Sequence, residues 1–303
     1  MRDRPRVTVI GGANTDLVGI PGARFALRDS NPGHVRASAG GVGRNIAENL
    51  ARLGAEVRLV TAFGDDDTSE WLRGECERAG IDTSFSIVAQ GVSGCRYLAV
   101  LDGTGDLAAA VNDMRALSAL TPEAIDPAAY EGADAVVLDT NLQASTIARV
   151  AECAGSIPLV LDPVSTAKAP LARPVLGRLA ALKANLREAE ELSGAAGAEG
   201  AAARLLEAGI ERVFVTMGPA GVWCASADES FALPAPAVRV LNVTGAGDAF
   251  AAGVTWAIAT RMSLREAAGF ASALAAMALE SERTVSEAVS ADAVRARMEG
   301  ERR

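Results

Sequence analysis

The chain has two lysines, one histidine and four cysteines among its 303 residues, and each scarcity removes a class of chemistry. Cys76, Cys95, Cys153 and Cys224 stand singly, none within ligand spacing of another, so a Cys/His zinc site is not indicated. Their scatter in an acidic globular chain fits a reducing cytoplasm. A Ser-His-Asp triad would have to use His34, which follows a Pro/Gly stretch and has no G-x-S-x-G partner. His34 is therefore read as a solvent or pocket-rim residue. No Gly-Lys pair occurs, which excludes a Walker-type phosphate loop. The dinucleotide fingerprint G-x-G-x-x-G is missing too: Gly41-Val-Gly43 runs into Arg-Asn-Ile46, and Gly245-Ala-Gly247 into Asp-Ala-Phe250. Positive charge is short, with a net charge of −9 and a pI near 4.9. Nucleic acid needs clustered Lys and Arg against its phosphates, so it is not expected as a partner. No apolar run reaches the ~18 residues of a membrane span. The opening M-R-D-R-P-R-V-T-V-I-G-G reads as a first strand, not a signal peptide.

What is present is a core. Half of the residues are hydrophobic and 22% are charged, enough to fold a large domain. Short apolar strands read at Val7–Ile10, Val57–Ala62, Ala135–Leu138, Leu159–Asp162, Arg212–Thr216 and Val222–Ala225. Helix-patterned stretches lie between them, including Asn45–Leu53, Ser69–Ala79, Ser145–Cys153, Ala201–Ala208 and Asp248–Ile258. Continuously apolar strands alternating with helices indicate an α/β fold whose parallel sheet is covered on both faces. Two segments, about 17–39 and 92–112, carry Gly, Pro and alternating apolar positions and read as antiparallel strands projecting as a lid. No linker separates a second domain, so residues 1–303 are taken as one.

The segment Asn242 to Gly253, N-V-T-G-A-G-D-A-F-A-A-G, concentrates the chemistry. A β-rich run from Phe231 to Leu241 stops, small residues follow, and a helix begins with Asp248 in its first turn. Gly245, Ala246 and Gly247 leave their backbone N–H groups open to a bulky anion at a helix N-terminus. A carboxylate beside an anion cradle repels the anion, so Asp248 makes sense mainly as a proton acceptor. Phosphoryl transfer needs both: donors for the charge on the moving group and a base for the attacking hydroxyl. Taken alone, the segment also fits an ordinary Gly-rich turn with an acidic first helical turn. Earlier, Ser38 to Gly54 reads S-A-G-G-V-G-R-N-I-A-E-N-L-A-R-L-G, with Ile46, Leu50 and Leu53 at helical spacing and Asn45 just inside a bare glycine turn.

This pair of segments resembles the two signatures of the ribokinase-like (PfkB-type) carbohydrate and nucleoside kinases. Gly11-Gly12-Ala13-Asn14-Thr15-Asp16, Asn185-Leu-Arg-Glu188 and Thr216-Met-Gly218-Pro-Ala-Gly221 fall in the family's order, so the likeness spans the chain. Within the family, Asp29-Ser-Asn-Pro-Gly33, Val111-Asn-Asp-Met114 and Leu161-Asp-Pro-Val-Ser165 look like the bacterial pseudouridine kinase branch. Some relatives carry a DNA-binding segment before the kinase; with the first strand at the start, no such role is expected.

The resemblance implies a ribokinase-like three-layer sandwich with a mostly parallel central sheet and a small projecting β lid. It implies a cytoplasmic, ATP- and Mg²⁺-dependent kinase acting on the 5′-hydroxyl of a nucleoside, pseudouridine in the first place. A sugar or another nucleoside remains an alternative, and a non-catalytic sugar or nucleotide sensor a further one. Asp248 would be the base and Gly245, Ala246 and Gly247 the anion hole. Asn14, Asp16, Gly41 and Asn45 would hold the ribose, and Asn112 and Lys168 would read the base. Thr216, Gly218 and Gly221 would line the nucleotide side, while Asn185 and Glu188 would hold phosphate and magnesium, the metal through water. For each a plainer role is open: a turn or cap aspartate at Asp16, a charged helix face at Glu188, a polar lid residue at Asn112, a solvated lysine at Lys168. Asn242 stands where many potassium-activated relatives have Asp. No potassium requirement is expected from it, although Thr244 and the segment Ser281 to Ser286 leave a monovalent cation site open. The exposed edges of projecting strands favour a homodimer paired through the lids.

Overall fold

In the computed structural model, residues 4–22 and 25–301 are described; the side chain of residue 301 is not. Ala23 and Arg24, inside the segment 17–39, and the ends of the expected 1–303 domain lie outside the described residues. The first half of the chain runs β1 (Arg6–Ile10), β2 (Asn14–Pro21), β3 (Gly33–Gly40), α1 (Val42–Arg52), β4 (Glu56–Val60), β5 (Ala62–Gly64), α2 (Asp67–Arg78), β6 (Ile81–Asp82), β7 (Ile87–Ala89), β8 (Arg96–Leu101) and β9 (Leu107–Asp113). Then come β10 (Ala135–Asp139), α3 (Ala144–Ala154), β11 (Leu159–Asp162), β12 (Leu179–Asn185), α4 (Leu186–Ser193), α5 (Ala198–Glu207) and β13 (Arg212–Thr216). The chain closes with β14 (Val222–Ser226), β15 (Ser230–Leu233), α6 (Ala246–Ala259), α7 (Leu264–Leu279) and α8 (Ala291–Glu301).

Nine strands form the central sheet in the order β15-β14-β13-β12-β11-β10-β1-β4-β6. From β13 to β6 every pairing is parallel; β14 and β15 add an antiparallel edge. The inner strands are buried on both faces because most of their positions are apolar. Val137 packs on one side with Ile46 of α1, Phe250 of α6 and Phe270 of α7. Its neighbours Val136 and Leu138 pack on the other, with Ile147 of α3, Ala189 of α4 and Leu205 of α5. This is the three-layer α/β sandwich the sequence implied.

The segments read as antiparallel projecting strands form the second sheet, in the order β3-β2-β8-β9; each segment is an antiparallel pair, but β2 and β8, which join the two, run parallel. One run departs from expectation. Phe231 to Leu241 was read as extended throughout, but the strand ends at Leu233, because Pro234 and Pro236 cannot donate to a ladder. Similarly, Val57–Ala62 splits: β4 stays in the large sheet, and Ala62 opens β5, which pairs with β7 apart from it. Among the described residues no helix is long and apolar enough to cross a membrane.

Candidate active site

In the central sheet β1 lies between β4 and β10, so the chain leaves it in both directions, and ligands of such sheets sit beyond the carboxyl ends at that switch. The polar residues gather there. Gly11 and Gly12 follow β1, Asp139 ends β10, Asp162 ends β11, Lys183 and Asn185 close β12, and Thr216 closes β13.

Helix α6 points its N-terminus at this edge. Gly245 precedes it with a φ of 87°, and no side chain caps it, so its first N–H groups are left for a ligand. A Cβ on Gly245 would stand 2.3 Å from the Thr284 carbonyl oxygen, so only glycine fits. In the first turn Asp248 accepts a hydrogen bond of 2.8 Å from Asn45 Nδ2. Asn45 is placed by α1, whose start is clamped onto the β1–β2 turn: Arg44 N–H donates to Gly12 O at 3.0 Å. Gly41, with φ 98°, lies against the same carbonyl, where a Cβ would come within 2.5 Å. The two signature segments therefore meet.

Asp248 keeps some open surface, but its carboxylate lies deep in protein. Burial pushes its carboxyl up to about 7; Asp162 and Asp139 push the same way, against the Asn45 hydrogen bond and the Lys183 ammonium. Asp139 is likewise raised by burial to about 6, although the N–H groups of Gly12 and Asn141 bond to it. Lys183 is buried and paired with Asp162, Nζ to Oδ2 2.9 Å. Burial alone would lower its pKa, but Asp162, Glu188 and Asp248 more than offset that and hold it raised. Val164, two residues past Asp162, has a φ of 62° and donates its N–H to Asp162 Oδ1 at 2.8 Å. A β-branched residue there costs about 1–3 kcal/mol of backbone strain, held by the surrounding contacts.

On the small sheet Asn14 Nδ2 donates to Asp16 Oδ1 at 2.6 Å, and Gly40 leaves room for that carboxylate. Burial raises the Asp16 carboxyl against the Asn14 bond and the Arg44 charge. The register places Ser38, Asp16, Tyr97 and Asn112 side by side across the four strands, hence on one face. Asn112 is exposed at the edge. His34 lies exposed on β3. Lys168 is half-buried, its Nζ bonded to Asn141 Oδ1 at 2.6 Å, which corrects the alternative of a freely solvated lysine.

Asn185 and Glu188 form a capping box on α4. The Glu188 N–H bonds Asn185 Oδ1 at 3.0 Å, and the Asn185 N–H bonds Glu188 Oε2 at 2.8 Å. Glu188 is buried, so it does not belong to the charged face of α4 suggested as its alternative, on which Arg187 and Glu191 are exposed. Burial raises its carboxyl against the pull of Lys183. Among the described residues no three His, Cys, Asp or Glu side chains group tightly enough to cage a metal. Mg²⁺ fits such a site only in its usual manner, held by one carboxylate, waters and substrate phosphates.

Thr216, Gly218 and Gly221 line an apolar cavity of about 590 Å³ that reaches Ala246 and Gly247 at the cradle. Its other walls come from the irregular stretch after β15 (Ala235, Val238, Val240, Val243) and from Ala275 and Leu279 of α7. Gly221, with φ 94°, also has a backbone reason to be glycine, since a Cβ would meet Leu233 O at 2.1 Å. Asn242 ties two loops together: its Nδ2 donates to Glu282 O at 3.4 Å and its Oδ1 accepts from Thr244 N–H at 2.9 Å.

Three residues of this edge were not singled out from sequence: Asp139, Asp162 and Lys183. A signal existed for each. Two apolar strands end in an aspartate, and one buried strand, A-A-L-K-A-N, contains a lysine, a residue almost never fully buried unless paired.

A sequence profile of the pfkB family carbohydrate kinases matches residues 4–290. The chain belongs to that family. As a pfkB-family member it is a phosphotransferase. It is 35% identical to the pseudouridine kinase of Escherichia coli over 292 residues, covering 94% of this chain and 93% of that one. A carbohydrate kinase from Agrobacterium tumefaciens superposes with a TM-score of 0.88 at 33% identity, covering 97% of each chain. A sugar kinase structure from Clostridium perfringens gives 0.88 at 30% identity, covering 99% of this pfkB-family chain and 97% of its own.

Proposed function

We propose that this pfkB-family kinase transfers the γ-phosphoryl group of ATP to the 5′-hydroxyl of pseudouridine. The observation that carries the transfer is the raised, Asn45-held carboxyl of Asp248 beside an uncapped glycine helix start. Likeness to a pseudouridine kinase over 94% of the chain supports the acceptor. Asp248 takes the hydroxyl proton, the oxygen forms its bond to phosphorus, and the bond to the ADP oxygen breaks. The N–H groups of Gly245, Ala246 and Gly247 bind the charge carried by the moving group. Asn14, Asp16, Gly41 and Asn45 orient the ribose, and Asn112 and Lys168 face the base.

The cavity lined by Thr216, Gly218 and Gly221 takes the nucleotide of ATP, within the size range of ligand pockets. Glu188 and Asn185 would hold Mg²⁺ through water, and the ion would supply positive charge against the phosphates. No potassium requirement is assigned, since the neutral Asn242 amide already bridges its two loops. Two copies are assigned to pair through the apolar face of the small sheet, where Val35, Leu98 and Val111 are 72%, 41% and 63% exposed. The setting assigned is the cytoplasm.

ADP release with ATP and Mg²⁺ tests the reading against pseudouridine, uridine, cytidine, adenosine, ribose and fructose in parallel. Turnover led by pseudouridine is the expected result. Turnover led by another acceptor keeps the transfer chemistry and overturns the acceptor; silence with all six favours a sensor.

A further inference from the structure

Lys183 is one of two lysines in the chain, and it is buried at the end of β12 among Asp162, Glu188 and Asp248. An ammonium has three donors. Among the described residues Asp162 is its one hydrogen-bonding acceptor, at 2.9 Å, which leaves two donors unspent in a place water reaches poorly. Nζ also lies against the cradle, 3.0 Å from where a Cβ on Gly247 would stand. Glycine at 247 thus opens the helix start to the lysine as well as to a ligand. Were Lys183 needed only to neutralise Asp162, its head could face any direction that reaches that carboxylate. Here it borders the N–H groups that the phosphotransfer reading gives to the phosphoryl group.

We propose that Lys183 is a catalytic residue, donating a charged hydrogen bond to the transferring phosphoryl group from its anchored place on Asp162. The proposal rests on the phosphotransfer reading of the site. Lys183 keeps its proton throughout. The acceptor hydroxyl's proton goes to Asp248, the acceptor oxygen bonds to phosphorus, and the bridging oxygen leaves with ADP. The cation is needed because four carboxylates, Asp139, Asp162, Glu188 and Asp248, crowd the region into which a polyphosphate must come. A preorganised donor aimed at developing charge is worth about 10²–10³ in turnover.

The test compares wild type, Lys183→Met, Lys183→Arg, Asp162→Asn and the double variant Lys183→Met/Asp162→Asn in ADP release with pseudouridine, each checked for folding by its melting curve. The double variant removes both buried charges, so it carries the test even where the single methionine variant does not fold. The expected result is a loss of at least ~10²-fold in kcat for Lys183→Met, a smaller loss for Lys183→Arg, and a double variant as slow as Lys183→Met. Recovery of the double variant to within tenfold of wild type would make Lys183 a counter-ion only and overturn the proposal. So would a Lys183→Met variant as fast as wild type. A wild-type chain that turns over no acceptor overturns the phosphotransfer reading itself, and the role of Lys183 with it.

Discussion

Asn45 and Asp248 stand 203 positions apart and meet through a single hydrogen bond of 2.8 Å, amide Nδ2 to carboxylate Oδ2. The bond joins the first turns of α1 and α6, which pack on the same face of the sheet. It holds the Asp248 carboxylate at the mouth of the cradle and leaves its other oxygen for a substrate. An amide donor favours the charged carboxylate, yet burial and the neighbouring aspartates outweigh it.

The first prediction concerns pH. A base with a pKa of about 7 is half protonated near neutrality, and only the ionised form accepts a proton. The kcat/KM for acceptor phosphorylation is expected to rise tenfold per pH unit below about 7 and level off above it. Removing the Asn45 donor raises that pKa, so Asn45→Ala shifts the rise to higher pH, besides any loss of acceptor binding. A pH profile flat from 5 to 8 in wild type would remove Asp248 as the base.

A second prediction concerns stability. The Asp248 carboxyl is held at about 7 in the folded chain against an ordinary value of 3.8. A carboxyl raised on folding takes up protons between those two values. Its contribution is therefore most favourable at low pH and declines as pH rises through about 7. Asparagine is neutral at every pH. Asp248→Asn is thus expected to lose at least ~10²-fold in turnover while melting higher than wild type at pH 8, with the difference narrowing as the pH falls to 5. Melting curves at the two pH values check it; an unchanged difference would mean that the carboxylate is not strained by its site.

These residues were readable in sequence to unequal degrees. Asp248 and the cradle could be read because the chemistry needs small residues and an acid within one helical turn, all in consecutive positions. The apolar strands and the helices between them were readable for the same local reason. Lys183 and Asp162 were not: they lie 21 positions apart, and only the sheet order brings β11 beside β12. The pair Asn185 and Glu188 was visible as a spacing, but its capping-box bonds depend on where β12 ends. The apolar cavity wall from Ala235 to Val243 was hidden by its own residues, which mimic a strand that two prolines interrupt.

A third prediction separates backbone strain from site geometry. Gly245 and Gly54 both adopt a positive φ, 87° and 98°, which costs an L-residue roughly 1–2 kcal/mol. A Cβ on Gly54 meets nothing within 4 Å, whereas one on Gly245 runs into the Thr284 carbonyl at 2.3 Å. Gly54→Ala should lower the melting temperature modestly and leave kcat unchanged. Gly245→Ala should lower it further and abolish turnover, because the loop holding the α6 N-terminus must move. Equal melting losses in the two variants would contradict the clash.

The last prediction addresses acceptor choice. Asp16 and Asn112 occupy the same cross-strand row with Tyr97 between them, so their strands are two spacings, about 10 Å, apart. That span suits a sugar gripped at one end and a base read at the other. Pseudouridine presents a ring N–H that uridine lacks, and the Asn112 amide oxygen can accept it. A site built to hydrogen-bond a group discriminates strongly against an analogue without it, provided the bond is shielded from water. Asn112 is exposed at the sheet edge, so the shielding must come from the bound base and from Tyr97 beside it. Asn112→Ala is expected to lower the pseudouridine-to-uridine ratio of kcat/KM about tenfold, the worth of one modest hydrogen bond, with kcat for pseudouridine within threefold of wild type. Asp16→Ala should instead depress all ribosides together. If Asn112→Ala lowers both nucleosides equally, base reading lies elsewhere on the row.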